Sequence, residues 1–340
     1  MSQPLEMPAS AETGHRPVLL AEVLKALHPA EGETFVDLTF GAGGYSSALL
    51  EAADCKVIAF DRDPDAILHG QAMVKSFAGR LNLVEAAFSD FAGELEAIGI
   101  ETVDGVVMDI GVSSMQLDQA LRGFSFMRDG PLDMRMAQSG ETAADVVAKC
   151  TADYLADIIY NFGEEQKSRA IGRAIVKART EAPITTTRQL VAAIERATGP
   201  HRPHLRTHPA TKTFQALRIY VNDELGQLAD ALVAAERVLK PGGRLVIVTF
   251  HSLEDRIAKQ FFIERTGNVP STSRHSPGPV SHRTPSFKLL HKGHIGPGEI
   301  ELADNPRSRS AKLRAAIRTD AEAWGRAGAF FKSVDSMRAQ

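Results

Sequence analysis

A glycine-rich turn between a β-like run and a helical pattern constrains the fold of this chain most strongly. The run Thr34-Phe-Val-Asp-Leu38 leads into Phe40-Gly-Ala-Gly-Gly44, and a helical pattern starts at Tyr45. Glycines there let the backbone turn tightly and approach a ligand closely, and the helix N-terminus offers free N–H groups. The next β-like run ends at Asp61, where a carboxylate can accept hydrogen bonds from both hydroxyls of a ribose. Together these features predict a cofactor site at the turn.

β-like runs alternate with helical patterns in the first third of the chain. The further runs are residues 56–60, 81–85 and 103–108. This alternation is typical of βαβ units and a parallel sheet. A strongly apolar run, 245–250, resumes the sheet, and two more β-like runs, 287–291 and 313–318, follow it. We therefore predict an α/β fold around a mainly parallel sheet.

From about residue 117 to residue 222 the pattern is helical. Thr151 can cap a helix that carries apolar residues on one face: Leu155, Ile158, Ile159 and Phe162. The sequence thus predicts a helical domain inserted into the sheet domain. The predicted parts are a disordered tail (1–14), a cofactor-binding sheet domain (15–116 and 223–320), the inserted helical domain (117–222) and a C-terminal tail (321–340).

Composition argues against a membrane protein and a disulfide-stabilised one. No apolar run approaches the ~20 residues needed to span a bilayer, and the first residues lack the pattern of a signal peptide. The two cysteines, Cys55 and Cys150, lack metal-ligand spacing and exclude a disulfide framework. We therefore expect a cytoplasmic protein.

Positive charge is clustered, although the net charge is only −3. Three stretches carry several arginines and lysines but no acid: those between Glu195 and Asp223, between Glu264 and Glu299, and between Asp304 and Asp320. Such blocks are either a local site for a polyanion or solvated faces and loops.

The glycine turn alone leaves the cofactor open. Gly41-x-Gly43-x-x-Ser46 is close to the dinucleotide fingerprint, which places a pyrophosphate on the helix N-terminus. Asp37, in the strand just before the turn, would repel a pyrophosphate but would suit the cationic amino-acid and sulfonium groups of S-adenosylmethionine. No residue pair suited to hydride transfer is evident in the sequence. S-adenosylmethionine is the predicted cofactor, and a nicotinamide dehydrogenase is the alternative.

The segment Asp109-Ile-Gly-Val-Ser-Ser-Met-Gln116 resembles the signature of the ribosomal RNA small subunit methyltransferase H family. The resemblance spans residues 15–318. Its other segments include His15-Arg-Pro-Val-Leu-Leu20, Asp61-Arg-Asp-Pro64, Gly123-Phe-Ser-Phe126, Pro131-Leu-Asp-Met-Arg135, Thr213-Phe-Gln-Ala-Leu-Arg218, Phe250-His-Ser-Leu-Glu-Asp255 and Asn305-Pro-Arg-Ser-Arg-Ser310. It implies a class I methyltransferase (Rossmann-like) fold with one antiparallel strand near a sheet edge. It also implies methyl transfer to the exocyclic N4 of a cytidine in the decoding region of bacterial 16S (small-subunit) ribosomal RNA.

The resemblance also implies which residues bind the cofactor. Gly43, Gly44 and Tyr45 should contact its methionine part, and Asp61 should hold its ribose. The remaining pocket residues implied are Phe88, near the adenine, and Asp109 and Gln116. Tyr45 departs from the histidine that the family usually has, which puts a side-chain role there in doubt.

Methyl transfer from a sulfonium requires the protein to align the nitrogen, sulfur and methyl carbon and to exclude water. Because the methyl donor is already activated, no metal is expected. Asp109 is the leading candidate to orient the target amine, because it lies at the carboxyl end of a strand, facing the ligand crevice. Asp133 is the second catalytic candidate. His251-Ser252 either faces the site or caps a helix. Prolines interrupt the only histidine group with suggestive spacing, His201, His204 and His208.

The target base must be presented unstacked, and the helical domain and basic blocks are expected to hold the surrounding phosphates. The predicted RNA contacts are Arg135, Lys212, Arg218, Arg307 and Arg309. The partner is either the ribosomal RNA or the assembled small subunit. A non-catalytic RNA-binding protein with the same fold is a further alternative.

Overall fold

Apolar β-runs pair side by side into the sheet that organises the molecule. The computed structural model describes residues 17–200, 208–268 and 283–326. Its strands are β1 (Thr34–Asp37), β2 (Lys56–Asp61), β3 (Leu81–Glu85), β4 (Val103–Asp109), β5 (Leu239–Thr249), β6 (Phe287–Leu289) and β7 (Lys312–Arg318). Their order across the sheet is β3-β2-β1-β4-β5-β7-β6.

The sheet is parallel except at one strand. Strands β1 to β5 run parallel, whereas β7 is antiparallel to both of its neighbours, β5 and β6. The predicted α/β class, the mainly parallel sheet and the antiparallel strand near an edge are confirmed. Strand β5 starts earlier than predicted, because Lys240-Pro-Gly-Gly243 forms a bulge inside it. Leu239 still pairs with Val103 before the bulge, and Arg244 pairs with Gly105 after it.

Helices cover both faces of the sheet. One face carries α1 (Leu20–Leu27), α2 (Gly44–Ala52) and α3 (Pro64–Ser76), and the other carries α4 (Phe91–Ala97), α11 (Glu224–Val238) and α12 (Ser252–Arg265). Two hydrophobic clusters fill the layers between sheet and helices, with Leu49 and Val107 in one and Phe91 and Leu232 in the other. Such burial on both sides explains why the central strands are continuous apolar runs.

A separate hydrophobic cluster lies within the helical segment. The helices that build it are α6 (Ala143–Lys149), α7 (Ala152–Gly163), α8 (Ser168–Glu181), α9 (Thr187–Thr198) and α10 (Thr211–Asn222). Helix α7 buries Leu155, Ile158 and Ile159, as their spacing predicts. The Thr151 side chain caps α7 by accepting a hydrogen bond from the Tyr154 N–H at 3.2 Å. The short helix α5 (Ser114–Asp118) connects β4 to this segment.

The chain after β7 is packed farther than predicted. Trp324 is buried, and its indole N–H donates to the carbonyl of Thr284 at 3.0 Å. Its ring also lies against the guanidinium of the fully buried Arg265. Residues up to Arg326 are therefore not a free tail, and the prediction of a tail from residue 321 is wrong at its start. The predicted tail 1–14 lies outside the described residues.

None of the helices in the described ranges has the length and apolar character needed to cross a bilayer.

Candidate active site

A cavity of about 450 Å³ lies at the carboxyl ends of the central strands. Strands β1 and β4 are neighbours there, and the chain leaves them toward opposite sides of the sheet. Ligands of open α/β sheets bind at such a switch point. The cavity wall includes residues after β1, β2, β4 and β5, namely Gly41, Gly44, Asp61, Asp109 and Phe250, together with Phe88, Arg218 and Glu224.

Asp37 braces the glycine turn from behind. Its carboxylate is fully buried and accepts hydrogen bonds from the Ser46 hydroxyl at 2.7 Å and from the Thr39 N–H at 3.1 Å. Burial raises the pKa of Asp37 above its ordinary value. The cavity is not lined by Asp37, so this residue does not contact a ligand directly. Its negative charge contributes to the raised pKa of Asp61 and to that of Asp109.

The predicted glycines have different roles. Gly44 and Gly41 line the cavity, whereas Gly43 does not. Gly43 has a φ of 80°, and a Cβ there would lie 2.6 Å from Met73 and 2.8 Å from Phe40. Glycine at this position therefore serves the turn and its packing, and the contact of Gly43 with the cofactor stays a prediction. A Cβ on Gly44 would overlap the ring of Pro17.

Tyr45 is buried and lies on the cavity wall. Its hydroxyl donates to the carbonyl of Val18, which ties α2 to the segment before α1. Burial raises the pKa of Tyr45 well above its ordinary value, and Asp109 and Asp37 raise it further. The side chain is thus neutral and structural, and its ring surface is what it offers to a ligand.

Asp61 lies where sequence analysis places it, at the end of β2 on the cavity wall. Its carboxylate accepts from the Gly41 N–H at 2.8 Å and from the Asp63 N–H at 2.9 Å. Burial raises the pKa of Asp61 to about 6. Each carboxylate oxygen has a second lone pair, so Asp61 can still accept hydrogen bonds from a ligand.

Asp109 ends β4 and lines the cavity. Its N–H donates to the Thr39 hydroxyl at 2.7 Å, which joins β4 to the turn after β1. Its Oδ1 atom is buried and has no hydrogen-bond partner among the described residues. Burial raises the pKa of Asp109 well above its ordinary value, and the charges of Asp37 and Glu254 add to the rise. A buried acceptor without a donor is costly, so this atom is a candidate to receive a ligand N–H.

Gln116 lines the cavity, but its amide is already used. Its Nε2 donates to Asp63 at 2.8 Å, and its Oε1 accepts from the Ser113 N–H at 3.1 Å in a capping box. Asp63 also pairs with Arg122 at 2.8 Å. Gln116 therefore holds α5 against the segment after β2. Sequence reasoning did not identify Asp63 or Arg122, although Asp63 stands inside the quoted Asp61-Arg-Asp-Pro64 segment.

Asp133 does not reach the cavity. Its carboxylate accepts from Arg135 at both oxygens, at 2.9 and 2.7 Å, which lowers its pKa even though burial opposes the change. Asp133 is not among the residues that line the cavity with Asp109, and its role as a second catalytic residue stays a prediction. Arg135 is likewise occupied by this ion pair.

The remaining predicted cations lie in different settings. Arg307 lines the cavity rim and pairs with Asp118 at 2.7 Å. Arg309 is exposed, and the Lys212 ammonium donates to the carbonyl of Glu164 at 2.9 Å. Arg218 lies in the cavity wall and is mostly buried, with 13% of its side chain exposed. The exposed cations are therefore better placed than Arg218 to bind backbone phosphates of RNA.

A group of ionisable side chains surrounds Arg218. Ligand atoms of Glu224, His251 and Glu254 lie within 4.8 Å of one another, a spacing that could hold a metal ion. Arg218 already pairs with Glu224 and lies 3.9 Å from Glu254, so its guanidinium supplies the positive charge that these carboxylates need. His251 is the N-cap of α12, where Ser252 was also a candidate. His201 and His204 lie outside the described residues.

Comparison with known proteins decides the family. The model of the MraW methylase family matches residues 12–319. The chain belongs to the MraW methylase family. Its resemblance to the ribosomal RNA small subunit methyltransferase H proteins, predicted from motifs, is confirmed by relatives of that name. This family member is 56% identical to the Hyphomonas neptunium protein, over 92% of this chain and 91% of that one. It is 57% identical to the Azorhizobium caulinodans protein (93% and 90% covered) and 58% identical to the Methylobacterium nodulans protein (90% and 91% covered).

Several wall residues of this MraW-family methylase were not predicted. They are Thr39, Arg62, Met136, Glu224 and Phe250. Phe250 and Arg62 stand inside two of the quoted motifs, so their position after a strand was a usable signal. Glu224 and Met136 come from the helical segment and its junction, whose placement over the sheet depends on tertiary packing.

Proposed function

We propose that this MraW-family methylase transfers a methyl group from S-adenosylmethionine to the exocyclic N4 of a cytidine in the decoding region of small-subunit ribosomal RNA. The observation that carries the proposal is Asp109, whose buried Oδ1 lacks a donor in the described structure and lies in the cavity wall. The relatives named ribosomal RNA small subunit methyltransferase H support the RNA substrate. Action on ribosomal subunits implies a cytoplasmic location.

The cavity residues fit S-adenosylmethionine. The volume is in the range of small-molecule sites. Asp61 offers acceptors for ribose hydroxyls, Phe88 offers an apolar surface for the adenine, and Gly44 and Tyr45 line the turn beside them. Carboxyl groups at Asp37 and Asp109 favour a ligand with cationic groups and disfavour a pyrophosphate, which also argues against a nicotinamide dinucleotide. When bound, the cofactor supplies an electrophilic methyl group.

Asp109 is the proposed catalytic residue. The cytosine amine is a poor nucleophile, because its lone pair is delocalised into the ring. A carboxylate that accepts one amine N–H orients the nitrogen and stabilises the positive charge that develops as the N–C bond forms. The same carboxylate is the acceptor for the proton that the methylated amine loses. Such a role requires the ionised form of Asp109.

The exposed cations beside the cavity are the residues proposed to bind RNA phosphates. Arg307 lies at the rim in a pair with Asp118 that is about half exposed on both sides, so a phosphate can compete for its guanidinium. Arg309 follows on the same segment and is exposed. The helical segment borders the cavity through Met136 and Arg218, which is consistent with its proposed role in substrate recognition.

The experiment is methyl transfer from labelled S-adenosylmethionine to small ribosomal subunits from cells that lack this protein, followed by mass mapping of the modified nucleotide. We expect one N4-methylated cytidine. Free ribosomal RNA is assayed in parallel to distinguish the two possible substrates. Absence of transfer to both, or a methyl group on another atom, would sink the proposal. Thermal stabilisation by NAD and not by S-adenosylmethionine would favour a dehydrogenase instead.

A further inference from the structure

Arg218 is the most constrained cation in the cavity wall. It projects from α10, and its Nε and Nη2 atoms donate to the two carboxylate oxygens of Glu224, each at 2.8 Å. Glu224 is almost fully buried, with 3% of its surface exposed. A bidentate pair of this kind fixes the plane of the guanidinium, so Arg218 presents its remaining nitrogen in a defined direction.

That remaining nitrogen, Nη1, makes no hydrogen bond to the part of the chain that the structure describes. Arg218 lines the cavity, so Nη1 is a charged donor available to a ligand. The buried pair with Glu224 would be a poor stabilising device on its own, because desolvation offsets much of its Coulomb attraction. Holding Arg218 Nη1 as a preorganised donor toward the cavity is a role that accounts for the buried pair with Glu224.

Arg218 lies at the same end of the cavity as Asp109. Glu254 connects the two, since its carboxylate is 3.9 Å from Arg218 Nη2 and accepts from the N–H of Phe250 at 2.8 Å, two residues after Val248, the strand partner of Asp109. Phe250, four residues before Glu254, is on the cavity wall between strand β5 and helix α12. Asp109 and Arg218 therefore border the same part of the cavity.

We propose that Arg218 reads the target base, with Nη1 donating to the O2 atom of cytosine while Asp109 accepts from its N4 amine. The inference rests on the proposed function and adds the residue that selects the base. Cytosine carries the donor amine and the O2 acceptor on one edge. Adenine has a similar amine but a C–H where cytosine has O2, and uracil lacks the amine, so each leaves one protein group unpaired.

The test replaces O2 with sulfur, a weak acceptor, at the target nucleotide of reconstituted small subunits. Wild-type protein should methylate N4 of cytidine with a kcat/KM about tenfold to a hundredfold above that for 2-thiocytidine, the effect of losing a hydrogen bond to a charged group. Arg218→Met combined with Glu224→Gln removes the donor together with the charge of its bidentate partner. This variant should process both substrates at the same low rate.

Two controls separate recognition from folding. Arg218→Lys keeps the positive charge but loses the fork, so it should lose the preference for cytidine while keeping thermal stabilisation by S-adenosylmethionine. Arg80→Met alters a half-buried arginine at the opposite end of the sheet and should keep the wild-type preference.

The outcomes are distinct. Equal preference for cytidine in the wild type and in both Arg218 variants overturns the role of Arg218 and leaves the proposed function standing. No N4 methylation by the wild type overturns the proposed function and this inference with it.

Discussion

At the scale of single residues, Asp109 decides whether the cavity is catalytic. Asp109→Asn keeps the shape and one acceptor but removes the negative charge. We expect methyl transfer to fall by about a hundredfold or more, the usual range for a positioned proton acceptor, with binding of S-adenosylmethionine changed much less. Single-turnover transfer and calorimetric titration measure the two quantities. Asp104→Asn is the matched control, because Asp104 lies on the same strand but pairs with Lys240 away from the cavity; a similar loss in that variant would contradict the assignment.

The same substitution predicts a change in stability. The pKa of Asp109 is raised in the folded state, so the folded protein binds this proton more tightly than the unfolded chain. The stabilising contribution of the group is therefore present below its unfolded pKa, about 3.9, and is lost as the pH rises through the raised folded pKa. Asp109→Asn should melt at a higher temperature than the wild type at neutral pH. The gap should shrink on acidification, and a gap that is independent of pH would argue against a buried, ionisable Asp109.

At the scale of elements, the glycine turn depends on contact with the chain before α1. Gly44→Ala would place a methyl group on the ring of Pro17, whose displacement opens the wall beside the turn. We expect affinity for S-adenosylmethionine to fall clearly, with a smaller effect on the melting temperature. Gly93→Ala in α4 is the control, because a Cβ there meets nothing within 4 Å. It should leave affinity unchanged and stabilise α4 by up to about 1 kcal/mol. Equal binding by both variants would show that the Pro17 contact is irrelevant to the site.

The elements also show how far sequence reasoning reaches. The sheet was predictable, because strands buried on both faces are apolar runs and the turn after β1 needs glycine. The ends of β2 and β4 were predictable too, so Asp61 and Asp109 were found. Which glycines of the turn line the cavity was not predictable from the residues, and Gly43 was named beside Gly44 because the family resemblance implies both. Gln116 was predicted and lies on the cavity wall, but its hydrogen bond to Asp63 joins segments that are distant in the sequence.

At the scale of the whole molecule, polar contacts join the helical segment to the sheet domain. Asn222 is central among them, since its carbonyl accepts from Arg62 and its side-chain amide binds the backbone of Met134 and Met136. Arg218 reaches the cavity because α10 ends at Asn222 and the chain turns into α11 at Asp223, which has a positive φ of 45°. No local sequence pattern predicts this placement. For that reason Arg218 was predicted to be an RNA contact like the other cations.

We expect contacts of Arg122 to make the helical segment and the sheet domain unfold cooperatively. It pairs with Asp63 and Asp65 of the sheet domain and donates to the carbonyls of Arg135 and Met136. Arg122→Met leaves the buried Asp63 without its cation, so we expect a loss of about 3–5 kcal/mol, the usual cost of breaking a buried pair. Because the bond between the parts is weakened, calorimetry should resolve two transitions where the wild type has one.

A charge-balanced variant tests the physical reason. Arg122→Met combined with Asp63→Asn removes the uncompensated charge, so it should recover much of the lost free energy of unfolding. It should not recover the single transition, because the ion pairs that join Arg122 to Asp63 and Asp65 across the two parts are still absent. If the single variant already unfolds in one transition at the wild-type temperature, the two hydrophobic cores are coupled through apolar contacts such as Phe162, which packs against clusters in both parts, and not through Arg122.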